Sequence, residues 1–400
     1  MSERLGPAIE GRSVVVCVGS GGVGKTTVAA SIALRAAQEG KRALVVTIDP
    51  ARRLASSMGV TALGNVGTRI SSERLALAGV EAKGELEALM LDVKRTCDEL
   101  ILRHAPSRDQ ADLILQNRFY QTASTVLAGS QEYMGMEKLY ELHASGRYDL
   151  IVLDTPPTTN ALEFLEAPNR LLDAFGNDAL KWIATPAVAA GRVSMKAMGL
   201  GSGYLVRQLS KLTGVETLQA LAEFLLSMRG MFDGFKDRAA EVQALLSSPD
   251  CAFVLVTAPK LMVLEEARYF YGVLNQNGIH VPAIVVNRME PDWPAAAALG
   301  ATATSGVGAF SDASLATLFS AENLPAIRQT LLEQQLRAQA DAEQAKALFA
   351  DLDGPVARVL VPTLTDDVHD LQGLSHLATY LFDEERPLPA RALPSLEDLA

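Results

Sequence analysis

Cysteine is scarce: Cys17, Cys97 and Cys251 are the only three in 400 residues, and no Cys-x-x-Cys pair occurs. That excludes a disulfide framework and a clasped structural zinc, and it fits a reducing, cytoplasmic setting. Basic residues are also in deficit, 36 Lys and Arg against 47 Asp and Glu, for a net charge of −11. A general nucleic-acid binder needs a basic face to neutralise phosphate, so no nucleic-acid partner is expected. Long uncharged runs are missing too. The most apolar stretch, Trp182 to Val206, carries Arg192 and Lys196 near its middle and is broken by Pro186 and four glycines, so it does not span a bilayer. Met1 to Ser13, with Glu3, Arg4, Glu10 and Arg12, lacks the apolar core of a secretory signal, and any membrane contact is expected to be indirect.

What remains is a chain with 48% hydrophobic and 21% charged residues, the balance of a soluble globular protein. Apolar β-rich runs recur at Ser13–Val18, Arg42–Ile48, Leu86–Leu91, Asp149–Leu153, Ala252–Thr257, Ala283–Val286 and Ala357–Val361. Most lack polar alternation, the mark of strands covered on both faces. The spacing predicts one α/β domain over 1–400, a doubly wound, mostly parallel sheet. Two longer helical intervals, about 92–147 and 167–248, predict a helical subdomain inserted into it. In the second, Leu218, Leu221, Leu225, Met228 and Phe232 form an apolar helical stripe that Phe224 and Met231 widen. Ala295–Gly308 reads as a mobile loop, a long polar helix is expected from about Ala313 to Leu352, and 383–400 reads as a flexible tail.

Gly19-Ser20-Gly21-Gly22-Val23-Gly24-Lys25-Thr26-Thr27 fits G-x-x-x-x-G-K-[ST] directly after the Val14–Val18 strand and opens a helix to about Gln38. This is a P-loop in its required context, and it predicts binding of ATP with Mg²⁺. Backbone N–H groups from Gly21 to Thr27 converge on phosphate oxygens, Lys25 supplies charge to the β- and γ-phosphates, and the Thr26 hydroxyl ligates Mg²⁺. Asp154, ending the apolar run from Asp149, places a carboxylate at a strand end as a Walker B element requires for the Mg²⁺ shell, and Thr155-Pro156-Pro157-Thr158-Thr159-Asn160 reads as a γ-phosphate-sensing turn. Asp49, in Thr47-Ile48-Asp49-Pro50-Ala51-Arg52-Arg53, ends another strand and is the candidate to position or deprotonate the attacking water. Asn287 closes the run Val285-Val286 with an amide suited to the adenine edge. His104, His143, His280, His369 and His376 have no metal-ligand spacing and read as surface or capping residues.

Together these residues resemble the arsenite-pump and tail-anchored-protein-targeting ATPases, within the deviant Walker A branch of P-loop NTPases that also holds the Min-system and partition ATPases. The resemblance runs from Ser13 to about Phe382. It implies that Asp49-Pro50-Ala51 is a first switch and Asp154-Thr155-x-Pro157-Thr158 a second. It also implies that Val256-Thr257-Ala258-Pro259, Asn287 and the Pro362-Thr363-Leu364-Thr365-Asp366-Asp367-Val368 loop line the adenine. Gln116-Asn117-Arg118-Phe119-Tyr120-Gln121-Thr122 with Gly129-Ser130-Gln131-Glu132-Tyr133-Met134 is similar to a bacterial subgroup.

Three departures shape the expected partners. Ser20 stands where the branch has its signature lysine, Thr159-Asn160 where the family has Gly-His, and no cysteine cluster for arsenite is visible. The resemblance therefore implies either a heterodimer with a lysine-bearing paralogue or a homodimer in which Arg52 or Arg53 supplies the missing charge. The favoured activity is slow, partner-dependent ATP hydrolysis that moves the helical subdomain to handle an apolar client. The alternatives are a spatial organiser of the Min or Par type, whose basic anchor the acidic tail lacks, and the catalytic subunit of an arsenite or other anion pump.

Overall fold

The computed structural model describes residues 3–49, 51, 53–118, 120, 121, 130–156, 224, 227, 232–291, 320, 322–352, 354–364 and 367–383. Eight strands form one sheet: β1 Val14–Val18, β2 Arg42–Thr47, β3 Thr68–Arg69, β4 Glu85–Met90, β5 Leu150–Asp154, β6 Cys251–Thr257, β7 Ala283–Met289 and β8 Ala357–Pro362. Their order is β3-β4-β2-β5-β1-β6-β7-β8. Every pairing is parallel except β3 with β4, so the carboxyl ends of the central strands meet along one edge. The seven apolar runs each became a strand. β3 is a two-residue antiparallel edge with no apolar run to announce it, and only its pairing to Glu87 and Ala88 defines it.

Helices cover both faces. Along β1, Val14, Val16 and Val18 enter one core layer while Val15 and Cys17 enter the other. The second layer holds α1 (Gly6–Ile9), α2 (Lys25–Gln38), α3 (Arg53–Ser57) and α4 (Ser72–Leu77). Buried Ala29, Ala30, Ala33, Ala36 and Ala37 let α2 lie close to the sheet, because a methyl side chain keeps the interaxial distance short. The first layer holds α5 (Val93–His104), α7 (Ser130–Ala144), α8 (Phe232–Leu246) and α9 (Leu261–Gln276), with α6 (Arg108–Gln116) outside it. The last two helices are α10 (Leu324–Ala350) and α11 (Leu371–Phe382), and α11 joins the α2 layer.

Described helices of both intervals pack on the sheet. Leu100 of α5, Met136 and Leu139 of α7, and Val242 and Leu246 of α8 sit in the sheet's own core, so these helices are its covering layer. Buried Glu137 ties α7 to α8 by accepting from Arg238 Nε at 2.9 Å. Of the apolar stripe, Phe232 opens α8, and Phe224 is buried and stacks on Tyr120 with ring centroids 6.0 Å apart. The long polar helix begins at Leu324 rather than near Ala313. Asn323 precedes it and Pro325 occupies its first turn, where a missing N–H costs nothing. Trp182–Val206, Ala295–Gly308, the stripe residues Leu218, Leu221, Leu225, Met228 and Met231, Pro157–Asn160, Arg52 and 384–400 lie outside the described residues.

One close approach links the helical layer to the strand edge. A Cβ at Gly135 of α7 would fall 2.2 Å from Cδ1 of Ile48, which is 2% exposed and directly precedes Asp49. Gly135→Ala gains helix propensity of about 1 kcal/mol and loses about 1–3 kcal/mol to overpacking. The expected net result is a lower urea midpoint than the parent. A higher midpoint would mean that Ile48 yields freely.

Candidate functional site

The chain leaves β1 at Val18 and turns through Gly19–Gly24 into α2. Two of these glycines are required. A Cβ on Gly19 would fall 2.0 Å from the Val256 carbonyl oxygen, and one on Gly24, whose φ is 96°, would fall 2.3 Å from Asn287 Nδ2. Lys25 is only 6% exposed, and its Nζ donates to the carbonyls of Gly19 and Ser20, both at 2.8 Å. Burial lowers its pKa, and the nearby Asp154 carboxyl opposes that shift.

Thr26 Oγ1 donates to Asp154 Oδ2 at 2.7 Å, and Thr47 Oγ1 donates to the same oxygen at 2.8 Å. Desolvation pushes the Asp154 pKa up to about 6 in spite of these two bonds and of Lys25. Its other oxygen, Oδ1, is buried with no hydrogen-bond partner among the described residues. A buried carboxylate oxygen without a donor is costly unless a cation takes it, so Thr26 and Asp154 together form a hard-oxygen pair that fits Mg²⁺. Thr155 Oγ1 donates to the Cys17 carbonyl at 2.8 Å, fixing the chain where it leaves β5.

Asp49 lies beyond the end of β2. Its Oδ1 accepts the Ala51 N–H at 2.9 Å, and its own N–H donates to Thr47 Oγ1 at 3.2 Å, so the aspartate both makes the turn and faces the site. A cavity of about 740 Å³ is shared by Gly22, Gly24, Lys25, Thr26, Thr27 and Asp49. Val23 is buried beside it, and Gly21 stands exposed in the turn. β2, β5 and β1, adjacent in the sheet, thus bring Asp49, Asp154 and the P-loop to one place.

The adenine-side expectations fall differently. Asn287 is 5% exposed, its Nδ2 donates to the Val23 carbonyl at 2.8 Å, and its Oδ1 accepts the Arg288 N–H at 3.0 Å. Asn287 thereby braces the P-loop at Val23 with one N–H and one lone pair of its amide, and a second of each is left over. Pro362 ends β8 opposite Met289 and does not line the cavity, whereas Val368, at the far end of the same loop, does. Sequence reasoning passed over Arg288 and His369, which do line it. His369 is exposed, as expected, yet its Nδ1 bonds the Asp367 carbonyl at 2.6 Å on the cavity rim. No spacing marks either residue, because Arg288 in β7 and His369 in the loop before α11 are both distant in sequence from the P-loop.

The family profile described as anion-transporting ATPase matches residues 12–300, from before β1 through β7. The chain belongs to this family. As an anion-transporting-ATPase-family protein it is an ATPase. It is 24% identical over 380 residues to putative arsenical pump-driving ATPase 1 of Aquifex aeolicus, covering 94% of this chain and 80% of that protein. It is 28% identical over 282 residues to the putative arsenical pump-driving ATPase of Prosthecochloris vibrioformis, and there the match spans 69% of this chain but only 61% of the relative's length. It is 26% identical over 279 residues to ATPase get3 of Schizosaccharomyces japonicus, covering 68% and 74%. Among the described residues no helix is long and apolar enough to cross a membrane.

Proposed function

We propose that this member of the family is a Mg²⁺-dependent ATPase whose nucleotide state opens and closes a dimer and moves helices that handle an apolar client or partner protein. The observation that carries the reading is the meeting of Thr26 with Asp154, 128 residues apart in sequence, beside an Asp49 that faces the same cavity. Lys25 turns from the Gly19 and Ser20 carbonyls to the β- and γ-phosphates when nucleotide arrives. Thr26 and Asp154 hold Mg²⁺, which when bound neutralises charge developing on the phosphates. Asp49 orients the attacking water and takes its proton. The P-loop amides from Gly21 to Thr27 hold the phosphate chain, and Asn287 keeps that loop in shape. Catalysis is then mostly positioning and charge stabilisation.

The contact of Gly135 with Ile48 supports the link from site to helices, since a shift of the Asp49 turn presses on α7. Support for a dimer comes from α9. Its exposed face carries Leu261, Met262 and Tyr269, at 63%, 75% and 56% exposure, next to Glu266, which accepts from the Ser20 hydroxyl. An apolar surface of this kind at the rim of a nucleotide site suits a second subunit. Ser20 is engaged on its own chain and is too short to reach another, so a charge in trans has to come from a paralogue's lysine or from Arg52 or Arg53.

A second reading, the driving subunit of an anion pump, is favoured by the names of the bacterial relatives. The cysteines speak against arsenite as the anion. Cys17 and Cys251 are buried in neighbouring strands at different registers and Cys97 is on α5, with thiol pKa values raised by burial.

Turnover per site measured against protein concentration tests the dimer. The parent chain alone is expected to be slow. Ser20→Lys combined with Glu266→Gln, which frees the new lysine from its own-chain acid, is expected to speed turnover by about tenfold or more as concentration rises. Fast, concentration-independent turnover by the parent would overturn the partner-dependent reading.

A further inference from the structure

Arg288 is the one non-glycine residue with positive φ among the described residues, at 62°. It sits where the β7–β8 register slips between Val286 and Met289, at an irregularity in the ladder. A left-handed backbone strains a residue with a Cβ, and glycine or asparagine would make the same turn at less cost. What arginine adds is its guanidinium. That side chain is exposed, lines the P-loop cavity, and has no hydrogen bond, ion pair or ring contact among the described residues. The backbone beneath it is held firmly. The Asn287 carboxamide accepts the Arg288 N–H with its oxygen and donates to the Val23 carbonyl with its nitrogen, so the arginine and the P-loop are joined through one buried side chain. Strained backbone of this kind gathers at ligand sites, where the surrounding structure maintains it.

The sheet order sets which part of a nucleotide this guanidinium meets. β7 lies on the β6 side of β1, whereas Asp154 and Asp49 end β5 and β2 on the other side. Metal and attacking water belong with those aspartates, and so does the γ-phosphate. A group entering from the β7 flank, where Asn287 packs against Gly24, meets the opposite end of the phosphate chain. We propose that Arg288 is a nucleotide ligand that pairs with the α-phosphate and strengthens the binding of ADP and ATP alike. The planar guanidinium suits two adjacent phosphate oxygens, and water screens the pair little once nucleotide closes the cavity. This rests on the reading of Gly19–Thr27 as the phosphate cradle.

Calorimetric titration of the full chain with ADP and with ATP tests it, using Arg288→Asn, Arg288→Lys and, as a control on the cradle, Lys25→Ala. Asparagine tolerates the left-handed backbone, so Arg288→Asn keeps the turn and loses only the charge. Its Kd is expected to rise by about tenfold for both nucleotides, with Arg288→Lys between it and the parent, and with a thermal midpoint no lower than the parent's. Arg288→Asn binding both nucleotides like the parent would overturn the proposal. So would a loss confined to ATP, which would move the guanidinium to the γ-phosphate. If Lys25→Ala still binds tightly, the cradle reading itself has failed; if Lys25→Ala loses binding while Arg288→Asn does not, only the role of Arg288 has failed.

Discussion

Asp154→Asn is expected to stabilise the nucleotide-free protein above pH 7 while reducing Mg²⁺-dependent turnover by a hundredfold or more, about the loss expected when a site's main charge-stabilising group is withdrawn. Burial holds the Asp154 carboxyl near a pKa of about 6, against 3.8 in the open chain. The folded state therefore binds this proton more tightly than the unfolded state does. Below about pH 3.8 the carboxyl is protonated in both states and costs nothing. Stability falls as pH rises from there to about 6, and above that the full cost of an ionised, buried carboxylate is present. The difference corresponds to a ceiling on the order of 3 kcal/mol. Lys25 loses a favourable neighbour in the variant, so the net gain is smaller, about 1 kcal/mol. Thermal midpoints of parent and variant measured from pH 4 to pH 8 check this. The two should converge at the acid end, separate as pH rises toward 6 and keep a constant gap above it. A parent that is the more stable at pH 8 would show that Asp154 is satisfied without a cation.

Asp49→Asn separates binding from chemistry. The aspartate makes its turn with Oδ1, which accepts the Ala51 N–H, and an asparagine oxygen can accept the same bond. Fold and nucleotide affinity should survive the change, with the Kd for ATP within a few-fold of the parent's. What is lost is the group that orients water and accepts its proton, and a positioned base of this type contributes about 10²–10⁴ in rate. Turnover is expected to fall by that factor. Titration with ATP followed by a phosphate-release assay on the same preparation measures both quantities. Parent-like turnover would remove Asp49 from the chemistry and leave it as a turn former. A combined loss of binding and turnover would instead place its effect on the P-loop.

Local physics made much of this protein legible in one dimension. The runs Val14–Val18, Leu150–Asp154 and Cys251–Thr257 are buried along their whole length, and an unbroken apolar run of strand length between helices has few other uses. The P-loop could be read because its glycines, lysine and threonine are contiguous, and α2 begins at Lys25 and ends at Gln38 as the pattern implies. Asp49 and Asp154 could be nominated because each ends such a run. Tertiary structure alone decided the rest. The bond from Thr26 to Asp154, the Asn287 prop beneath Val23, the engagement of Ser20 by Glu266 and the approach of Gly135 to Ile48 all join segments far apart in sequence. No spacing rule reaches across such distances, because the order of strands in the sheet determines which loops share an edge. β3 and Arg288 escaped for a related reason. A two-residue edge and a single left-handed residue are products of pairing, and pairing exists only once the chain has folded.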